Sequence, residues 1–297
     1  MAIRQITIVG TGLIGGSFGL ALRQRGFEGT IIGCDKPDVL ETAITRGAID
    51  RGGTDVKETV PYSDVVIFGT PVGAILSLFE KLAPTLSPTT LITDTGSTKR
   101  EFVERARMVL GRAAGELVLP GHPMAGKEIG GIENADPELF DNAAWLVTPI
   151  DPSQPYTARQ LECLDLFRLV GARVVAIEPE RHDRLCAWIS QLPQMISTTL
   201  ASLLREEFGD DEAVAQIGGR ALYEMTRIAH SPYSMWRDIA LTNSQNLEEA
   251  LLRFEQQLEH LRENLRGPSL RELFESANQF GREQTTQEDD IADKQVG

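Results

Sequence analysis

"ITIVGTGLIGGSFGLAL", residues 6–22, is the stretch from which the fold is read. A run of Ile and Val leads into Gly10, Gly12 and Gly15, spaced G-x-G-x-x-G, and an amphipathic helical pattern leads out. The order is strand, tight turn, helix. Gly10 permits the turn, Gly12 lets the backbone approach a pyrophosphate, and Gly15 lets helix and strand pack closely. Leu13 and Ile14 open the predicted helix, whose free N–H groups and dipole favour an anion. Asp35 follows Gly15 by twenty residues, at the end of the next strand-like run. A carboxylate there accepts from both ribose hydroxyls and repels a 2′-phosphate. The prediction is a dinucleotide site that takes NAD in preference to NADP, with Lys36 beside Asp35 softening that preference.

Working outward, residues 1–178 alternate short apolar runs with helical patterns. The runs are "QITIVG", "GTIIGC", "DVVIFG", "TLITD", "AAWLVTPI" and "ARVVAI". Runs of this kind suit strands buried on both faces. The helical patterns between them cover residues 13–25, 74–82, 98–110 and 157–169. Such alternation predicts a largely parallel sheet with helices on both faces, an α/β dinucleotide-binding domain of Rossmann type. From residue 179 to 281 the strand-like runs disappear, which predicts an all-α C-terminal domain. In "NLEEALLRFEQQLEHLREN", Leu247, Leu251, Phe254, Leu258, Leu261 and Leu265 share one helical face. That face serves a domain core, a helix–helix dimer seam, or both. Residues 282–297 have few large apolar side chains and no periodicity, so disorder is expected there.

Composition narrows the partners. The net charge of −14 argues against nucleic acid, which needs clustered Lys and Arg. No apolar run is long enough for a membrane span, and the first residues read as a strand rather than a signal peptide. Cys34, Cys163 and Cys186 are far apart and without CxxC spacing, which suggests reduced thiols in the cytoplasm, with neither a disulfide framework nor a zinc site.

Three stretches carry candidate chemistry. "FGTPV" ends a strand-like run, so Thr70 and Pro71 are placed at the sheet edge where ligands bind. "LITDTGSTKREF" puts Ser97 at the start of a helix, either as a plain N-cap or as a hydroxyl facing the nicotinamide. "LPGHPMAGKE" reads as an ordered loop with His122 at its centre, facing the same crevice. A dehydrogenase acting at a carbinol carbon needs a base for the hydroxyl proton, and histidine suits that role near neutral pH. A serine hydroxyl would hold the imidazole in one tautomer.

"GTGLIGGS", "TDTGSTK", "GHPMAGKEIGG" and "EMTRIAHSPYSMWRDIALTN" together resemble the prephenate dehydrogenase family of tyrosine biosynthesis, over nearly the whole chain. The resemblance implies an N-terminal dinucleotide-binding domain and a C-terminal helical domain that forms a homodimer. It implies NAD-dependent oxidative decarboxylation of prephenate, or of its amino analogue arogenate. It makes His122 the base or hydrogen-bond acceptor, Ser97 its partner at the substrate hydroxyl and Arg227 the holder of a substrate carboxylate. Glu128 and Glu224 match acidic positions near the site. Trp236 and Asp238 are read as fixing a helix against the site, His182 as a structural contact of the domain-linking helix, and His230 and His260 as solvated.

The chain departs from the family pattern at "WISQLPQMIS", where Gln191 and Gln194 replace two histidines. Glutamine donates and accepts hydrogen bonds but never becomes cationic. The preference between prephenate and arogenate therefore stays open. No chorismate mutase or regulatory segment is recognised, so inhibition by tyrosine is expected at the active site itself. An NAD-binding sensor without catalysis is the other class considered; it would keep the glycines and Asp35 but would not need His122 or Arg227.

Overall fold

The structure, a computed structural model, describes residues 3–296. Six strands form one parallel sheet: β1 (Gln5–Val9), β2 (Thr30–Cys34), β3 (Arg51–Gly53), β4 (Val65–Phe68), β5 (Leu91–Asp94) and β6 (Val118–Leu119). Their spatial order is β3-β2-β1-β4-β5-β6, so the chain reverses its direction of winding between β1 and β4. In open α/β sheets that reversal opens a crevice at the carboxyl ends of the strands.

Three further strands, β7 (Gly121–Pro123), β8 (Ala144–Val147) and β9 (Arg173–Ala176), form a separate sheet. β7 runs antiparallel to β8, and β9 parallel to it. All six predicted runs are strands, but the last two belong to this mixed sheet and do not extend the parallel one. β3, β6 and β7 were not anticipated; they span two or three residues each, too few for periodicity to register. The "GHP" segment is thus a strand and not a loop. Pro123 is tolerated because β7 is an edge strand, where a missing N–H breaks no ladder.

The two sheets share a core. Trp145 of β8 stacks on Phe167 at 4.1 Å between ring centroids, and Phe18 and Phe140 close around it. Phe18 comes from the helix Leu13–Gln24, and Phe167 from the helix Ala158–Leu169, whose first turn carries a Thr157–Gln160 capping box. Packing β8 against the first helix of the nucleotide motif fixes where β7, and with it His122, meets the parallel sheet.

The chain from Pro179 is helical, as expected. The helices Pro179–Cys186 and Leu192–Phe208 join through a π-helical turn, Ala187–Gln191. Pro193 lies two residues past that turn, and its missing N–H and bulky ring do not fit a regular α ladder. Met1–Leu247 forms one compact unit and Glu248–Gly297 a second, so the first helices after residue 179 pack in the same unit as the sheets. The second unit contains most of the helix Ser244–Glu263 and the helix Pro268–Val296. That last helix runs into the 282–297 segment expected to be disordered; side chains from residue 285, and residue 297 altogether, lie outside the described residues. No described helix is long and apolar enough to cross a membrane.

Candidate active site

The glycine turn closes as its spacing predicts. Gly10 has φ +95°, a conformation that L side chains resist, and an added Cβ would meet the Gly69 backbone at 2.7 Å. A Cβ on Gly15 would lie 2.1 Å from the carbonyl oxygen of Gly10. Gly12 differs: nothing lies within 4 Å of the Cβ it lacks, so open space faces the N-terminus of the helix Leu13–Gln24. Leu13 and Ile14 stand in that first turn, where N–H groups have no partner within the helix.

Beside the turn is an open cleft of about 610 Å³, lined by Gly10, Asp35, Asp55, Val56 and Thr70 among others. The Asp35 carboxylate accepts the backbone N–H of Thr11 at 2.7 Å and of Lys36 at 2.8 Å, which fixes it at the end of β2. The Thr70 hydroxyl is buried without a hydrogen-bond partner among the described residues. Pro71, next to it, precedes the helix Val72–Leu82. Open space at Gly12, an unpartnered hydroxyl at Thr70 and a fixed carboxylate at Asp35 fit an adenine dinucleotide.

Two helices of the sheet domain begin without a cap of their own, Val72–Leu82 and Arg100–Leu110. Both are capped by carboxylates from the helical segment. Asp238 accepts the Gly73 N–H at 3.0 Å. Asp183 accepts the N–H groups of Lys99 at 2.7 Å and of Arg100 at 3.0 Å. Free N–H groups and the positive end of the dipole make these starts favourable for anions. A Thr98–Thr242 hydroxyl contact at 2.8 Å adds a third link.

Asp183 also orders the histidines. Its Oδ1 lies 2.8 Å from Nδ1 of His182, and Nε2 of His182 lies 2.9 Å from Nδ1 of His122. A carboxylate only accepts, so Nδ1 of His182 carries a proton. Burial pushes the pKa of His182 below its ordinary value, which leaves that ring neutral, with its lone pair on Nε2. His122 must then donate through Nδ1–H, and its own lone pair is on Nε2. Burial first, then His182 and Lys99, hold the pKa of His122 well below the ordinary value. The result is a neutral imidazole in one tautomer at the carboxyl edge of the sheet.

Asp94 positions the segment around it. It is fully buried at the end of β5, paired with the equally buried Lys99, and it accepts the N–H groups of Gly96 at 2.8 Å and of Gly121 at 3.1 Å. Gly121 immediately precedes His122.

The other candidates divide. Ser97 is half-buried in the turn between β5 and the helix Arg100–Leu110. It is not that helix's N-cap, and no hydrogen bond joins it to His122 among the described residues; the tautomer-setting contact expected of it comes from His182. Arg227, in the turn Arg227–His230, forms an ion pair with Glu128. Glu224 instead pairs with Arg220 at 2.6 Å on an exposed helix face. Gln194 is buried and donates to the Ile228 carbonyl at 2.8 Å and the Thr198 hydroxyl at 3.1 Å, bracing the turn that carries Arg227. Gln191 accepts from Asn243 at 2.9 Å, and its buried amide nitrogen has no partner among the described residues. His230 and His260 are exposed. Cys186, read from the sequence as a reduced thiol belonging to neither a disulfide framework nor a zinc site, lies 3.7 Å from Nε2 of His182 and 4.0 Å from Nδ1 of His122.

A family model described as prephenate dehydrogenase, nucleotide-binding domain, matches residues 18–176, and one described as prephenate dehydrogenase, dimerization domain, matches residues 178–279. The chain belongs to the prephenate dehydrogenase family. It is 31% identical to a prephenate dehydrogenase of Bacillus subtilis over 271 residues, 91% of this chain and 72% of that one. A crystal structure of prephenate dehydrogenase from A. aeolicus, in complex with hydroxyphenyl propionate and NAD+, is 30% identical with a TM-score of 0.81, covering 98% of this chain and 99% of that one. An arogenate dehydrogenase from Synechocystis is also 30% identical, with a TM-score of 0.73 and coverage of 94% and 99%. The family's two-part organisation is the α/β and all-α division seen here.

Within this family member, Lys99 and Asp94 form an ion pair with both side chains fully buried. Lys99→Met leaves a buried carboxylate without its cation and should destabilise the fold by about 3–5 kcal/mol. The shift of the urea midpoint at unchanged slope measures it.

Proposed function

We propose that the chain is an NAD-dependent prephenate dehydrogenase, converting prephenate to 4-hydroxyphenylpyruvate and carbon dioxide. The observation that carries this reading is His122, buried on a strand tied to the carboxyl end of β5, with its Nδ1 engaged by His182 so that Nε2 is the nitrogen left for a substrate. Bound NAD supplies the hydride acceptor, held by Gly10, Gly12, Leu13, Ile14 and Gly15 at the helix start and by Asp35, Thr70 and Pro71 along the cleft. His122 Nε2 takes the proton of the ring hydroxyl as hydride leaves the carbinol carbon. The ring carboxylate then departs as carbon dioxide, its bonding pair enters the ring, and His122 returns the proton to the phenolate oxygen. Ser97 contacts the same hydroxyl. Arg227 binds a substrate carboxylate, which displaces Glu128 from the guanidinium; the planar fork favours bidentate contact.

The second reading is arogenate as substrate. Gln191 and Gln194 keep it open, since neither is a cation that would repel the ammonium group by which arogenate differs from prephenate. Tyrosine carries the ring and carboxylate of the aromatised product and competes for the same groups. A homodimer through residues 179–281, with the boundary at 178/179, is part of the proposal. It is supported by the ranges of the two family models and by the exposed Leu251, Leu258 and Leu265.

The test is a matrix of purified protein with NAD or NADP and prephenate or arogenate, following reduced nicotinamide. Turnover with NAD and prephenate is expected. Turnover only with NADP would overturn the role of Asp35, and none with any pairing would overturn the enzyme reading. His122→Ala should lose about 10²–10⁴ in kcat while still binding NAD.

The pH profile follows from the depressed pKa of His122, which faces His182, Lys99 and Cys186. The neutral ring is the active form, and a lowered pKa means more acid is needed to protonate it. The value of kcat/KM should hold level as pH falls through about 6.5 and drop only below it. An acidic limb centred at or above that value would contradict the assignment.

A further inference from the structure

His182 and Cys186 stand four residues apart on the helix Pro179–Cys186, so both face the same way. Across from them is His122. Nδ1 of His122, Nε2 of His182 and Sγ of Cys186 all lie within 4.8 Å of one another, and all three residues are buried. Their separations are 2.9 Å between the nitrogens and 3.7 and 4.0 Å from sulfur to each nitrogen. A tetrahedral zinc ion with Zn–N of about 2.05 Å and Zn–S of about 2.3 Å needs edges of about 3.3 and 3.6 Å. The donors are therefore within about half an ångström of a zinc site before any side chain moves.

Two further features favour an ion. His182 presents its second nitrogen to the Asp183 carboxylate at 2.8 Å, the carboxylate–histidine arrangement that orients metal-ligating imidazoles. The local charge also balances: Lys99 and Asp94 cancel each other, and a dication is met by the Asp183 carboxylate and a Cys186 thiolate. The proposed mechanism uses neither the thiol nor any metal.

We propose that His122, His182 and Cys186 form an inhibitory zinc site. Binding places Zn²⁺ on the two imidazole nitrogens and Sγ, with a fourth position left for water. Cys186 loses its proton to solvent. The proton on Nδ1 of His122 gives way to the metal, and the neutral ring carries its proton on Nε2 instead. A base with a proton on Nε2 no longer accepts one from a substrate hydroxyl, so the metal switches off the ring without touching the cofactor cleft. The inhibition rests on the dehydrogenase reading; the binding does not.

The test uses the full chain freed of metal by a chelator. Cobalt(II) reports the site directly. One equivalent should give a thiolate-to-cobalt charge-transfer band with tetrahedral visible bands, displaced by zinc. Cys186→Ala and Cys186→Ser should both lack the charge-transfer band. In the prephenate and NAD assay, zinc should inhibit the unaltered chain, and a chelator should restore the rate. Relative to each variant's own metal-free rate, inhibition should need at least about tenfold more zinc. No thiolate band in the unaltered chain would overturn the site, as would equal zinc sensitivity of all three proteins. A cobalt band without turnover would leave the site standing and count against the dehydrogenase reading alone.

Discussion

The Asp183 carboxylate is the contact on which the site depends. It accepts three hydrogen bonds, from the backbone of Lys99 and Arg100 and from the ring of His182. Hydrogen bonds to an ionised acceptor are roughly twice as strong as neutral ones. The same group thus fastens a helix of the second half to the start of a helix of the first, and sets the proton position in His182. His182 in turn sets that of His122. Without Asp183 the two imidazoles have no reason to choose the tautomer that leaves Nε2 of His122 free.

This arrangement joins folding and chemistry in one place. A base held by a flexible loop would sample several orientations. His122, the proposed base, is instead on a paired strand, the amide of the residue before it is held by Asp94, and its ring is held by His182, itself hydrogen-bonded to Asp183. Asp238 makes the same kind of cap on the helix Val72–Leu82, beside the cofactor cleft. The helical segment is thus anchored at two helix starts along the carboxyl edge, one beside each half of the proposed reaction.

The parts legible in the sequence are those set by near neighbours. Gly10, Gly12, Gly15 and Asp35 act through a local turn whose spacing is visible in one line, and the structure forms that turn. The six long apolar runs declare themselves as strands for the same reason. What was not legible depends on distant pairs. His182 is read from the sequence only as a structural contact of the domain-linking helix, until the fold brings it and Asp183 against His122 and Lys99, sixty and more residues away. Ser97 invited an N-cap reading because serine fills that role well; Asp183, distant in sequence, took it. Glu128 and Arg227 were each noticed, but their ion pair was not foreseen. The spacing of His182 and Cys186 was the available signal for their shared face.

The proposed chemistry turns on a neutral His122, with its proton on Nδ1 and its lone pair on Nε2. A long-range proton–nitrogen NMR correlation spectrum of the chain with isotopically labelled histidine reads this directly, with His122 assigned by the signals lost in His122→Gln. Near neutral pH the spectrum should show a protonated Nδ1 and an unprotonated Nε2 for that ring. A ring protonated on Nε2, or on both nitrogens, would contradict it.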